Sequence, residues 1–273
     1  ADERCAWMCP IVTLTSDFGP ADSYVGAMHG VILGICPTAQ IVDLCHSISP
    51  QNVRQAAFVL YTTYRFFPPG TVHVVVVDPG VGSERRIIAL RTRDAYFVAP
   101  DNGVLSYILA RETVLEQIHL TRREFWLPTI SQTFHGRDIM APVAAHLARG
   151  VPLCDLGEPV GDLVKFALSE PEVQPDGSIV GHILHIDRFG NLISDVREES
   201  LPNRQALVIY CAGRRIEGIH TTYASVADGQ LVALIGSSGH LEIAVRNGNA
   251  AKLLYAQAGD EITIGRSQGR VVD

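Results

Sequence analysis

The chain has 273 residues, 47% of them hydrophobic, with 22 basic against 29 acidic side chains and a formal net charge of −7. That is enough chain for two domains and enough apolar content for sizeable cores, which argues against disorder. The absence of a basic run argues against nucleic acid as a partner, and no apolar stretch approaches the roughly 20 residues of a membrane-spanning helix.

Residues 1–10 read as an irregular extension. They lack the basic start and apolar run of a signal peptide. The six cysteines, Cys5, Cys9, Cys36, Cys45, Cys154 and Cys211, are scattered without metal-site spacing. No zinc site and a reducing, cytoplasmic setting are therefore expected, with Cys36 and Cys45 as small core residues. Ile11–Thr15 reads as a strand ending in Ser16-Asp17-Phe18-Gly19. Asp22-Ser23 is placed to cap a helix that Pro37 stops. Gln40–Cys45 is a second strand, and Ser49-Pro50 opens a helix from about Gln51 to Phe67. The four valines Val74–Val77 then form a strand of the kind buried on both faces, which stops at Asp78-Pro79-Gly80. This β-α-β-α-β order predicts a parallel sheet. Arg86–Arg91 and Ala95–Ala99 read as a hairpin, Gly103–Ala110 as a short helix, Val114–Leu120 as a strand and Ile139–Ala148 as a helix.

From about Pro171 the texture changes to short alternating runs separated by Gly, Asn, Asp and Ser: Ile179–Ile186, Ala206–Cys211, Arg214–Ile219, Leu231–Ile235, Leu241–Val245 and Glu261–Ile264. The expected fold is an α/β N-terminal domain over residues 11–170 with a central, mainly parallel sheet. A smaller all-β, barrel-like domain follows over residues 171–273. No Gly-x-Gly-x-x-Gly follows the first strand, and Gly80-Val81-Gly82 leads into another strand, so a dinucleotide site is not expected.

Ligands of open α/β sheets sit outside the carboxyl ends of the strands. Asp78 lies there, with Arg85 seven residues on across the turn; pairing of Asp78 with Arg85 or Arg86 in a plain turn is the alternative. Asp17, Asp43 and Asp101 follow other apolar runs, which points to one shared crevice. Asp17 has two acceptor oxygens suited to a vicinal diol, or else it caps a turn. His135 has an ordinary pKa near neutrality and is suited to moving a proton. Phe189 and Asn191 pair an aromatic face with an amide donor and acceptor, or else are a core phenylalanine and a turn. Ser237 and Ser238, in a Gly-Ser-Ser-Gly loop, suit a carboxylate or are simply a turn. Asp22 and Arg137 are secondary candidates.

Four stretches stand together in order: Thr15-Ser16-Asp17-Phe18-Gly19, Asp78-Pro79-Gly80-Val81-Gly82 with Arg85, Phe134-His135-Gly136-Arg137-Asp138, and Ile186-Asp187-Arg188-Phe189-Gly190-Asn191. In this arrangement the chain, from Ile11 through its C-terminal domain, resembles the S-adenosyl-L-methionine (SAM) hydroxide adenosyltransferases, water-using relatives of fluorinase and chlorinase. The resemblance implies an α/β domain followed by a β-barrel, and a homotrimer with active sites at subunit interfaces. It also implies conversion of SAM and water to adenosine and L-methionine, with SAM as substrate and no cofactor. Asp78, Arg85 and His135 match the family's catalytic set, Asp17 its ribose-binding aspartate, and Asp187, Phe189 and Asn191 its adenine-side segment. The halogenating relatives carry tyrosine where Asp78 stands, and fluorinase has serine at Gly136. An anionic Asp78 would oppose a halide by about 4 kcal/mol at ~4 Å and an effective dielectric of 20.

Three rival readings follow from the same residues. One is a SAM-dependent halogenase, which Asp78 opposes. Another is a metal-dependent hydrolase with Asp17, Asp22, Asp43, His46 and Asp78 as ligands. The last is a non-catalytic adenosine- or SAM-binding protein.

Overall fold

The computed structural model describes residues 9–201 and 207–266. Most of the expected extension (residues 1–8, with Cys5) and Ala206 lie outside them. The chain divides into two compact units, residues 1–167 and 168–273.

The first unit is built on a seven-stranded sheet. Its strands are β1 (Ile11–Ser16), β2 (Gln40–Cys45), β3 (Thr71–Val76), β4 (Ile87–Arg91), β5 (Ala95–Pro100), β6 (Glu116–Leu120) and β7 (Gly157–Pro159), in the order β2-β1-β3-β5-β4-β6-β7. The helices are α1 (Tyr24–Ile35), α2 (Val53–Thr63), α3 (Ser106–Arg111) and α4 (Ala141–Ala148). All six residues of β3 are buried, as the valine run predicts. Its two faces have different company, because successive side chains alternate across a strand. Val72, Val74 and Val76 join the core formed with Met28 and Ile32 of α1 and Ala141 and Ala144 of α4. His73, on the opposite face, stacks on Phe97 and meets the edges of Tyr64 and Phe67.

The sheet is parallel only across β2-β1-β3-β5; β5, β4, β6 and β7 pair antiparallel. The expectation of a mainly parallel sheet thus holds for one half. The cause is the tight turn after Arg91, where Thr92 donates its N–H to Ala95 O at 2.9 Å and turns the chain straight back. This reversal matters for the site. Because β4 runs against β5, and β5 runs with β3, the start of β4 lies at the same sheet edge as the end of β3. Seven residues therefore suffice to bring Arg85 back to Asp78.

Two helix starts differ from expectation. Ser23 precedes α1 without a side-chain cap. α2 begins after Asn52, whose side chain accepts from Gln55 N, and Gln51 is left outside with φ +65°. α4 is preceded by a π-helical turn over Gly136–Met140, which residue patterning does not reveal.

The second unit is all antiparallel: β8 (Glu172–Val173), β9 (Ile179–Ile186), β10 (Leu192–Arg197), β11 (Leu207–Cys211), β12 (Arg214–Glu217), β13 (Leu231–Ile235), β14 (His240–Val245) and β15 (Glu261–Arg266), with a short helix α5 (Ala250–Leu254). The order is β12-β11-β15-β9-β10-β14-β13, with β8 beside β9. Beyond β12, His220 donates its N–H to Ala233 O at 2.8 Å and bridges to Leu234 of β13, bringing the ends of the sheet together as a barrel requires. β10 is not legible in the sequence because buried Ser194 and Asp195 break its apolar pattern. Asp195 is satisfied by Ser169 Oγ at 2.5 Å and His182 N at 2.8 Å. Cys36 and Cys211 are buried free thiols, whereas Cys45 is only half-buried.

Candidate active site

At the edge where β3 ends, Arg85 grips Asp78 with both arms of its guanidinium. Nε donates to Asp78 Oδ1 at 2.8 Å and Nη2 to Oδ2. The pair is nearly dry, with side-chain exposures of 11% and 6%. Such a bidentate fork fixes the carboxylate's orientation as well as its charge. Nη2 also lies 2.9 Å from Nδ1 of His135. A guanidinium can only donate, so Nδ1 must accept, and the proton of neutral His135 is on Nε2. Burial, reinforced by the charge of Arg85, holds His135 below the usual imidazole range against the opposing fields of Asp78 and Asp138. Asp78, Arg85 and His135 thus form one hydrogen-bonded cluster. A cavity of about 440 Å³ borders Arg85 and His135 and includes Arg123, Trp126 and Gln132.

The cluster is held by its surroundings. Asn102 Nδ2 donates to Val77 O at 2.9 Å, pinning the backbone just before Asp78. His135 enters the π-helical turn, in which Ala141 N bonds Gly136 O. A Cβ on Gly136 would stand 2.7 Å from Val76 Cγ1, so glycine lets this turn lie against β3. Arg137 is engaged locally: its Nε donates to buried Asp138 at 2.6 Å, and Asp138 also receives Ser131 N at 2.7 Å. Arg86 pairs with Asp101 and Asp162, leaving Asp78 to Arg85.

Asp17 lies just past β1 and accepts the N–H of Gln51 on Oδ2 at 2.7 Å. Its neighbour Phe18 packs edge-on against Phe134, the neighbour of His135, at 5.5 Å, and Tyr24 meets both rings at 5.3 Å. This aromatic trio couples the Asp17 loop to the His135 loop. The trio is not legible in the sequence because its three rings lie on separate segments that meet only in the fold. Asp22 is exposed ahead of α1. Among the described residues no group of three or more His, Cys, Asp or Glu is placed to hold a metal ion, so Asp17, Asp22, Asp43, His46 and Asp78 do not gather as ligands.

In the second unit, Asp187 Oδ1 accepts the N–H groups of Phe189 and Asn191 at 2.9 Å each, and Oδ2 accepts Asn191 Nδ2 at 2.9 Å. The turn is therefore self-capped. It leaves Phe189 74% exposed, which removes the alternative of a core phenylalanine. Ser237 and Ser238 occupy the turn between β13 and β14, closed by Gly236 N to His240 O at 2.9 Å. Beneath that turn lies Glu242, which the sequence reading missed: its Oε2 would be 2.5 Å from a Cβ on Gly236. Burial raises its pKa, Tyr223 OH at 2.6 Å works against that, and the field of Asp187 adds to it.

Comparison with known proteins identifies the family. The N-terminal domain of the SAM hydroxide adenosyltransferases matches residues 12–157 and their C-terminal domain residues 181–263. An (R)-S-adenosyl-L-methionine hydrolase from Salinispora tropica is 39% identical, covering 93% of this chain and 97% of its own. A fluorinase from Nocardia brasiliensis is 30% identical over 90% of this chain and 92% of its own. The crystal structure of an uncharacterized conserved protein from Thermotoga maritima superposes with a TM-score of 0.87 at 37% identity, covering 94% of this chain and all of that one. With both domains matched in order and a relative of this similarity spanning nearly the whole length, the chain belongs to the SAM hydroxide adenosyltransferase family.

Proposed function

We propose that the protein hydrolyses SAM to adenosine and L-methionine by attack of water on C5′ of the ribose. The observation that carries this reading is the Arg85 fork on Asp78, with His135 Nδ1 bound to the same guanidinium. The sulfonium makes methionine a neutral leaving group, so expulsion needs no general acid. As the C5′–O bond forms, the C5′–S bond breaks and its electron pair stays on sulfur. The attacking water must then lose a proton. Each Asp78 oxygen keeps a lone pair beyond its bond to Arg85, and Asp78 takes that proton before bulk water does. His135 Nδ1 is occupied by Arg85, so His135 acts through Nε2–H, as a donor that orients the nucleophile. Holding water and carbon at near-attack distance can supply about 7–11 kcal/mol of the barrier.

Asp17 is assigned to the ribose diol, Phe189 and Asn191 with Asp187 to the adenine, and Ser237 and Ser238 to the methionine carboxylate, with Asp22 secondary. A sulfonium with three different carbons is a stereocentre. The hydrolase relatives are named for the (R) form, and we extend that preference to this chain. The assembly reading is a homotrimer with sites at subunit interfaces, which rests on the family resemblance. A cytoplasmic setting is supported by the free thiols among the described residues.

Turnover in ¹⁸O-labelled water tests the reaction. Label in the 5′-hydroxyl of adenosine, with unlabelled methionine, is the expected result, and the (R) epimer should be consumed faster than the (S). Unlabelled adenosine, or 5′-chloro-5′-deoxyadenosine in excess chloride, would overturn water attack. Light scattering of the active protein tests the trimer.

A further inference from the structure

A second polar cluster lies at the carboxyl ends of β1 and β2. Ser16 Oγ is 2.7 Å from His46 Nδ1, and His46 Nε2 is 3.0 Å from Asp43 Oδ1. His29 Nε2 reaches the same Asp43 oxygen at 2.9 Å. Burial would push Asp43 up, but the imidazoles of His46 and His29 prevail and hold it below the usual carboxylate range. His46 Nε2 lies within ion-pair range of Asp43 but is not aligned for a hydrogen bond, whereas Nδ1 is bonded to the hydroxyl of Ser16.

The order Ser-His-Asp is that of a nucleophilic triad, but Ser16 is 1% exposed, and its oxygen also accepts Phe18 N at 3.3 Å. It is not offered to a substrate. What the cluster does hold is the loop carrying Asp17. His46 Nδ1 fixes Ser16 immediately before Asp17, and His46 O accepts Gly19 N at 2.7 Å two residues after it. Gln51 N, five residues beyond His46, fixes Asp17 Oδ2. Asp17 is thus clamped on both sides and at one oxygen by the segment following β2.

We propose that His46 is a positioning residue for ribose recognition: its Nδ1 holds Ser16, and its carbonyl holds Gly19, so that Asp17 presents its carboxylate to the diol. This rests on the reading of Asp17 as the ribose ligand. The side chains of asparagine and glutamine separate the two nitrogens. His46→Asn keeps a polar atom near the Nδ1 position and with it the link to Ser16, whereas His46→Gln keeps one near Nε2 and loses that link.

The test measures Kd of the full-length protein for adenosine and 2′-deoxyadenosine by calorimetry, alongside SAM kinetics and thermal melts. His46→Gln and Ser16→Ala should each lower the preference for adenosine about tenfold, the value of one hydrogen bond to a charged group. They should raise KM with a much smaller effect on kcat. His46→Asn should keep the preference close to wild type. Asp17→Ala should abolish it. If Asp17→Ala abolishes the preference while both His46 variants keep it, the clamp is wrong and the Asp17 reading stands. Equal loss in both His46 variants, with lowered melting temperatures, would reduce His46 to a structural role and overturn the proposal. If Asp17→Ala leaves the preference intact, both readings fall.

Discussion

Arg85 Nη2 and His135 Nδ1 stand 2.9 Å apart, and the bond between them runs in one direction only. Protonating His135 would set an N–H against an N–H. The same contact that orients the ring therefore penalises its charged form.

A pH dependence follows. His135 is held below the usual range, so the neutral ring is present above its lowered pKa and is lost as pH falls through it. The acid limb of kcat/KM should lie below pH ~6.5, the ordinary imidazole value. Removing the charge with Arg85→Met should move that limb upward. An unmoved limb would show that Arg85 does not set the proton affinity of His135. Asp78→Asn should lower kcat by about 10²-fold or more, since it loses the proton acceptor. Asp78→Ala should also destabilise the fold by about 3–5 kcal/mol by leaving Arg85 buried without its partner.

Gly136 has no room for a side chain. Gly136→Ala drives Cβ to 2.7 Å from Val76 Cγ1, and overpacking of this kind costs about 1–3 kcal/mol. Val76→Ala removes the clashing methyl, so the double variant should be more stable than the sum of the singles predicts, as measured by urea unfolding. Gly136→Ser should fail to yield a halogenase for the same steric reason, with Asp78 still in place.

Acid stability should depend on His73. Burial pushes this imidazole down to about 4 from an ordinary value of 6.5. Between those limits the unfolded chain takes up a proton and the folded chain does not. Stability is full above about pH 6.5 and falls as pH drops toward about 4, by up to about 3 kcal/mol. His73→Phe should flatten the dependence on pH over that window. An unchanged slope in urea unfolding from pH 7 to 4.5 would assign the acid lability elsewhere.

Gln51 sits at φ +65° while its N–H holds Asp17. Glycine reaches that conformation without strain and keeps the donor, so Gln51→Gly should retain adenosine affinity with stability within about 1 kcal/mol of wild type. Gln51→Pro lacks the donor and cannot adopt the conformation. It should weaken adenosine binding, and calorimetry of the two variants decides the matter.

Much of this was legible in the residues. The valine run required a strand buried on both faces, and Pro79-Gly80 required it to stop, which put Asp78 at a sheet edge. The pairing with Arg85 follows once β4 is known to run antiparallel, but a valine-rich strand says nothing about the direction of its neighbours. His135 was recognisable as a proton-active residue, yet its tautomer depends on a contact 50 residues away in sequence. His46 entered the sequence reading only as a possible metal ligand, because its hold on the Asp17 loop depends on Ser16 and Gly19 meeting it in the fold. β10 was hidden by a buried aspartate whose partners, Ser169 and His182, lie on other segments.

The π-helical turn at Gly136–Met140 gives the molecule a phase adjustment. An α-helix advances about 100° per residue, so one additional residue in a turn rotates everything before it by that amount relative to everything after. The apolar face of α4 is locked against β3 and α1, so the rotation is expressed at the other end, where His135 enters. Deleting one residue from the turn would let the helix run on regularly with its buried face unchanged. His135 would then swing about a quarter-turn away from Arg85. Length, as much as side-chain identity, is under constraint in this segment. A relative one residue shorter here could preserve every functional residue by name and still separate the histidine from the arginine that sets its proton.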